Sequence, residues 1–342
     1  MSAISVLDRL IDKTRVHFYK PIQIAEILYR DRVVGDIDLA DLESYRNPSK
    51  KWRDKVSALL IGRVCTSSAK FQDNLFDKNA IPPNTLVELG RENRARNGAV
   101  EAHVYLRLRD KLGAVSQVRA YLADSIPATF RLQDFESLFV AESGLRRSMD
   151  KMFEITVFAL FATLVRALHV EVAVQIGERQ QQLLRDFSGF LEAVLGLTET
   201  QQERRWPAAL YRAGVTNAAD RGLDMWSNFG PVVQVKHLTL TQDVVEDIVE
   251  GINAERLIVV CRDAEREVID SVLSQIGLRD RLQAIITFKD LATWYGLCMS
   301  TRYQEKLGRQ LLTDLRREFD AEFPSIDELT PFLMKREYIT MN

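Results

Sequence analysis

Ala-Ala-Asp-Arg-Gly-Leu-Asp-Met-Trp-Ser-Asn-Phe-Gly-Pro-Val-Val-Gln-Val-Lys-His, residues 218–237, is the stretch on which the reading of this chain turns. Gly222 to Asn228 reads as a short strand and Val232 to Leu240 as a second. Phe229-Gly230-Pro231 reads as the turn between them, because Gly supplies unusual backbone angles and Pro fixes one. A regular antiparallel hairpin centred on Gly230 sets Asp224 opposite Lys236 and Trp226 opposite Gln234. Side chains alternate along a strand, so positions 224, 226, 234 and 236 share one face. Directly opposed residues stand only about 4.5–5.5 Å apart at Cβ. Asp224, Gln234 and Lys236 then form one polar cluster, with a bulge at Gly230-Pro231 as the one local feature that would shift the register.

An acid, then a turn, then a polar residue and a lysine in alternation suits metal-dependent cleavage of a phosphodiester. The phosphate is anionic and the leaving alkoxide poor, so a bound Mg²⁺ helps by neutralising charge and acidifying water. Mg²⁺ takes oxygen ligands. Asp224 supplies the charged oxygen, Gln234 an amide oxygen and Val235 its carbonyl, while Lys236 orients water or stabilises charge on phosphate. Gln in place of an acid leaves room for a further carboxylate. Glu154, in the apolar run Met-Phe-Glu-Ile-Thr-Val-Phe-Ala-Leu-Phe-Ala, is the candidate, since a lone acid there needs a partner or a metal; the alternative is a charge at the exposed start of the helix. Asp220 competes with Asp224, shares its face and lies roughly 13 Å further along the strand.

Outward from the hairpin, an apolar helix near 148–167 is followed by a strand beginning His169-Val-Glu-Val-Ala-Val-Gln. On the other side Thr241 reads as a helix N-cap with Asp243 in the first turn, and Val244, Val245, Ile248, Val249 and Ile252 make one apolar stripe. A strand at Leu257–Cys261, a helix capped by Asp263, a strand at Gln283–Phe288 and helices from about 290 complete the chain. A mixed sheet with helices on both faces is the natural packing, hence an α/β catalytic unit over 141–342. Residues 1–140 read as a mainly helical region, with helices at Pro21–Tyr29, Asp38–Tyr45 and Lys50–Leu60, the last capped by Ser49 and ended by Gly62.

Composition narrows the partners. Of 342 residues, 46 are Lys or Arg and 48 Asp or Glu, so a protein that binds DNA with this balance must gather its positive charge locally. Lys50, Lys51, Arg53, Lys55 and Lys70, interleaved with Trp52, Ser67 and Ser68, form the densest such stretch and are expected to touch DNA. Arg91, Arg94 and Arg96 form a weaker one, and Arg212, Asn217 and Arg221, close to the hairpin in sequence, are candidates to touch DNA there. Cys65, Cys261 and Cys298 have no pairing or metal spacing, which fits a reducing cytoplasm. The apolar run Ile155–Val165 is too short to span a membrane, and the N-terminus does not read as a signal peptide.

The element order, with an acid at the end of one hairpin strand and Gln-x-Lys on the next, resembles the PD-(D/E)XK nuclease superfamily. Leu223 stands where the superfamily's name has proline, and Gln234 where an acid is usual. The phrases Arg-Val-His-Phe-Tyr-Lys-Pro-Ile-Gln-Ile-Ala-Glu-Ile-Leu-Tyr (15–29), Asp-Leu-Glu-Ser-Tyr-Arg-Asn (41–47) and Thr-Asn-Ala-Ala-Asp-Arg-Gly-Leu-Asp-Met-Trp (216–226) look like those of HaeII-type restriction endonucleases, and the likeness covers nearly the whole chain. It implies a Mg²⁺-dependent type II enzyme that cuts double-stranded DNA at a palindrome with a GCGC core and degenerate purine and pyrimidine ends. Asp224, Gln234 and Lys236 become its catalytic hairpin. A palindrome is most simply read by a twofold homodimer, and a DNA methyltransferase is implied as a system partner that protects host sites. A structure-specific repair nuclease and a non-catalytic DNA-binding protein on the same fold are the alternatives that the residues leave open.

Overall fold

The protein is described from a computed structural model covering residues 2–142, 144–177, 181–213, 223–241, 244, 248, 251, 252, 254–264 and 281–340. The N-terminal part is helical: α1 (Ala3–Asp12), α2 (Tyr19–Tyr29), α3 (Leu42–Tyr45), α4 (Pro48–Ile61), α5 (Ala69–Asp73), α6 (Pro83–Ala95), α7 (Ala99–Asp124) and α8 (Leu132–Ala141). Every residue of α2 from Pro21 to Leu28 is buried. A helix apolar on nearly all sides belongs in the middle of a bundle. Its two polar buried residues have partners: Gln23 Nε2 donates to Ser49 Oγ at 2.8 Å, and Glu26 accepts from Tyr105 Oη at 2.6 Å. Ser49 is therefore a packing residue inside α4, whose first position is Pro48; the expected Ser49 cap is corrected. Gly62 ends α4 at φ 74°, as expected. The helix expected over Asp38–Tyr45 is a single turn, with Asp41 as its N-cap, accepting from the Glu43 N–H.

At 26 residues α7 is the beam of the molecule, about 39 Å long at 1.5 Å per residue. Val100, Val104, Tyr105, Leu108 and Leu112 pack in the helical N-terminal core, whereas Ala114, Val115, Val118 and Leu122 pack in the core beneath the sheet. The two hydrophobic clusters thus meet inside α7. The last helix, α13 (Leu329–Lys335), returns Leu329, Phe332 and Leu333 to the N-terminal cluster.

After α9 (Met149–Ala167) a two-stranded hairpin, β1 (Glu171–Gln175) and β2 (Glu203–Pro207), stands apart, with α10 (Gln181–Asp186) between its strands. The main sheet has the order β3 (Leu210–Arg212), β4 (Met225–Ser227), β5 (Val232–Leu240), β6 (Leu257–Ala264), β7 (Leu282–Thr287). The first three strands are antiparallel and the last three parallel. Helices α9, α11 (Phe288–Met299) and α12 (Arg309–Glu322) cover one face with Met225, Val233, Val235, Val260 and Ile286; Ile248 and Ile252 pack with Val259, Cys261 and Leu282 on the other. The mixed, helix-covered sheet is as expected, and β5 runs over the residues read from the sequence. The Asp243 N-terminal turn, Val245, Val249 and the helix after Asp263 fall outside the described residues, as do Asn217, Asp220 and Arg221.

The hairpin register differs from the expected one by two residues. Met225 pairs with Val233 and Trp226 with Val232, because the turn is the three residues 228–230, with the Ser227 N–H donating to the Pro231 carbonyl at 3.2 Å. Gly230 takes φ 119°, which only glycine adopts without strain. A shift of two preserves which face each side chain points to, so Trp226, Gln234 and Lys236 still lie on one side while Met225, Val233 and Val235 enter the core under α9.

His17, between α1 and α2, is buried, and burial lowers its pKa from 6.5 to about 4. The folded protein binds this proton less readily than the unfolded chain. Its contribution is therefore fully present above pH 6.5 and lost as pH falls toward 4, on the order of 3 kcal/mol in all. Urea unfolding of His17→Phe is expected to show correspondingly less acid destabilisation across that window than the unaltered chain; parallel pH dependences would refute it.

Candidate active site

Strand β4 begins at Met225, so the Val235 N–H of β5 has no strand partner beside it. The Asp224 carboxylate takes that place: Oδ2 accepts from Val235 N at 2.7 Å and from Gln234 Nε2 at 2.6 Å. Oδ1 accepts no hydrogen bond among the described residues. The Asp224 main-chain carbonyl accepts from Ala213 N at 2.9 Å, which fixes the strand end from the other side. The two-residue register shift is what sets Asp224 beside Gln234 instead of Lys236.

Glu154 comes from the second turn of α9 and is 3 % exposed, which removes the reading of it as a charge at an exposed helix start. Lys151, one turn earlier, pairs with its Oε2, and Arg212 Nη1 of β3 reaches its Oε1 at 3.2 Å. Arg212 also meets Glu318 at 3.3 Å and Glu322 at 2.9 Å. With all three of these carboxylates around one guanidinium, Arg212 is a strut between β3, α9 and α12, and its expected contact with DNA is corrected.

Glu154, Asp224, Val235 and Lys236 line one cavity of about 710 Å³, together with Lys13, Arg15, Arg146, Arg147, Asp150, Lys151 and His237. Burial is the main cause that raises the pKa of both Asp224 and Glu154. Lys151 opposes the shift at both, Lys236 opposes it at Asp224, and Asp224 itself adds to the rise at Glu154. A buried Glu154 and a half-buried Asp224, whose charge disfavours that of Glu154, lie among amines and form a floor that a divalent cation would stabilise.

Asp224 and Glu154 offer this cavity oxygen donors of the kind a hard cation takes; Gln234 does not line it but stands beside Asp224 through its amide. Gln234 is 2 % exposed, and its Oε1 is buried with no hydrogen-bond partner among the described residues. An orphaned acceptor beside a carboxylate fits a cation site. No cluster of three His, Cys, Asp or Glu suited to a metal occurs among the described residues. Replacing Gln234 by Leu is expected to cost about 10–100-fold in metal affinity or cleavage rate, because Asp224 Oδ2 loses one of its two donors. Unchanged rates across a metal titration would contradict the assignment.

The expected DNA-contact stretch divides into braced and exposed residues. Arg53 is 2 % exposed and its donors are spent on Gln23 at 3.0 Å, Gln72 at 3.0 Å and Asp54 at 2.8 Å, so it is a buried brace and is withdrawn as a phosphate contact. Lys50 pairs with Asp73 at 2.8 Å, and Ser68 is the N-cap of α5. Lys51, Lys55 and Lys70 are exposed with no carboxylate partner among the described residues, and Ser67 is half-buried. In the weaker stretch, Arg94 pairs with Asp31 and Arg96 with Glu92. The sequence reading missed Lys13, Arg15, Arg146, Arg147 and Lys151. A readable signal existed for Arg146 and Arg147: they precede a helix N-terminus, where the helix dipole favours anions and not cations.

The three thiols are free, and no helix among the described residues is long and apolar enough to cross a membrane. A family model described as HaeII restriction endonuclease matches residues 3–338. The type II restriction enzyme NgoBI of Neisseria gonorrhoeae is 45% identical over 327 residues, 96% of this chain and 93% of that protein. The type II restriction enzyme HaeII of Haemophilus aegyptius is 44% identical over 334 residues, 97% of this chain and 95% of that protein. No solved structure matches. With a match that runs through both helical core and sheet, the chain belongs to the HaeII restriction endonuclease family and is a type II restriction enzyme, a site-specific deoxyribonuclease.

Proposed function

We propose that this enzyme uses Mg²⁺ to hydrolyse both strands of DNA at a palindrome with a GCGC core and degenerate flanks, on a PD-(D/E)XK core, as a homodimer. The observation that carries the metal and the site is the convergence of Asp224, Glu154 and Lys236 on one cavity, with the Gln234 amide hydrogen-bonded to Asp224. The sheet supports the PD-(D/E)XK reading: an antiparallel hairpin bears the acid at its strand end, and its second strand continues into parallel pairing. Asp224, Glu154 and Gln234 would hold the cation, with the Val235 carbonyl as a further candidate ligand. When bound, Mg²⁺ supplies a neutralised phosphate and a more acidic water. The chain's own part is to place Lys236 over the reacting phosphate as a fixed positive charge, to hold Glu154 through Arg212 and Lys151, and to exclude bulk water from the buried floor.

Twofold symmetry supplies one such site to each strand of a palindrome, which is the reason for proposing a homodimer. Lys51, Lys55 and Lys70, with Ser67 and Ser68, are retained as candidate contacts to DNA, and Arg221 stands as a proposal on sequence grounds alone. A host that carries this activity needs a methyltransferase of the same specificity. Digestion of plasmid DNA with Mg²⁺ or with EDTA, followed by sequencing of the ends, tests the reading: cleavage at one palindromic sequence, abolished by EDTA, is expected. Metal-independent cutting would remove the Mg²⁺ assignment, and a different end sequence would remove the GCGC assignment.

A further inference from the structure

One wall of the catalytic cavity is not made by the sheet. It is made by the segment that leaves α1, by the turn that leads into α9 and by the first turn of α9, which together contribute Lys13, Arg15, Arg146, Arg147 and Lys151. These cations are not equivalent. Arg15 is paired with Asp150 and Lys151 with Glu154. Lys13 and Arg147 are exposed and have no carboxylate partner among the described residues, and Arg146, also exposed, spends only Nε, on the Val140 carbonyl at 2.9 Å.

Their positions are built. Lys111 of α7 is buried; its ammonium donates to the carbonyls of Ile11, at 3.2 Å, and Thr14, closing the C-terminal end of α1 just where Lys13 and Arg15 emerge. Its stem lies against Gly144, where an added Cβ would come within 3.2 Å of Lys111 Cγ. One buried side chain therefore holds the segment that carries Lys13 by hydrogen bonds and packs against the segment that leads to Arg146 and Arg147. Holding like charges together at the start of a helix is unfavourable by itself, since the helix N-terminus is already positive. The same arrangement becomes favourable when an extended polyanion lies across it.

We propose that Lys13, Arg146 and Arg147 form a second phosphate subsite, which grips the backbone of the strand being cut at a phosphate flanking the scissile one. The proposal rests on the nuclease reading of the cavity and deepens it. The helical N-terminal region then contributes to the cleft itself, through the end of α1, in addition to any contact made by α4 and α5. Phosphate contacts carry no sequence information, so the subsite should act equally on any duplex.

The test uses the full-length protein in EDTA and fluorescence anisotropy on two labelled duplexes, one with the cleavage palindrome and one without. Each phosphate contact contributes about 0.9 to the slope of log affinity against log salt. The double variant Lys13→Gln/Arg147→Gln is expected to flatten that slope by about 1.8 on both duplexes. Affinity at low salt should fall by the same factor on each, and Lys13→Arg/Arg147→Lys should restore slope and affinity. An unchanged slope would overturn the proposal, as would a loss confined to the palindromic duplex, which would make these residues readers of sequence. An unaltered protein whose binding to both duplexes is indifferent to salt would instead overturn the reading of this cavity as a DNA cleft.

Discussion

Asp224→Asn is expected to lower the single-turnover rate of DNA cleavage by about three orders of magnitude or more, while DNA binding in the absence of metal survives. Three orders correspond to roughly 4 kcal/mol of transition-state stabilisation, the scale on which a charged group at the reacting centre acts. The substitution keeps shape and removes charge. Oδ2 already spends itself on Val235 N and Gln234 Nε2, so an Asn carbonyl can take over those hydrogen bonds, whereas its Nδ2 cannot replace Oδ1 as an oxygen ligand. Folding stability should not suffer, because burial makes the ionised carboxylate costly and a neutral amide removes that cost. A cleavage rate within tenfold of the unaltered enzyme would place the chemistry elsewhere. A collapsed Tm would show that Asp224 serves the fold.

Arg212→Met has the largest expected effect on stability. Its guanidinium is the shared counter-ion of Glu154, Glu318 and Glu322, whose side chains are 4 %, 12 % and 0 % exposed. Removing one partner of a buried pair leaves charge uncompensated in a poor solvent, which typically costs about 3–5 kcal/mol. Glu154 keeps Lys151, but Glu322 already has one oxygen without a partner and would have no remaining cation among the described residues. Loss of that size should appear as a lower urea midpoint and a Tm reduced by several degrees. Adding Glu322→Gln to Arg212→Met should recover part of the loss, since the uncompensated charge is removed with its partner; strictly additive losses would rule out the coupling. The consequence reaches the cleft, because the strut that steadies α12 also sets the position of Glu154.

How far these residues were legible in the sequence follows from how local their causes are. The apolar helix at 149–167, the strands at 171–175 and 232–240 and the stop at Gly62 follow from periodicity and from backbone preference, which act over a few residues. The face shared by Trp226, Gln234 and Lys236 was legible for the same reason: alternation is indifferent to a register shift of two. The register itself was not, because Gly230 permits more than one turn and the choice lies in how many residues the turn consumes. That choice decided that Asp224 sits beside Gln234 and takes the stranded N–H of Val235.

Charge was read less well than pattern. Arg53 and Lys51 lie in one basic run and one helix, yet the first is a buried brace and the second is exposed; which of them meets solvent depends on α2 and α5 packing against α4. Arg212 lay near the hairpin in sequence and was read as a DNA contact, but its partners come from positions about 60 and 110 residues away, which no local rule relates.

The sequence by itself determined the element order, the face of the hairpin and the candidates Asp224, Glu154 and Lys236, because these depend on short-range periodicity and on the rarity of an acid in an apolar helix. Only the tertiary structure decided that Glu154 joins Asp224 at one cavity, that Arg212 is a strut, and that Lys13, Arg146 and Arg147 stand on the rim. Those outcomes are set by long-range packing through α7, where two cores meet on one helix and Lys111 holds the segment that carries Lys13 and packs against the one that leads to Arg146 and Arg147.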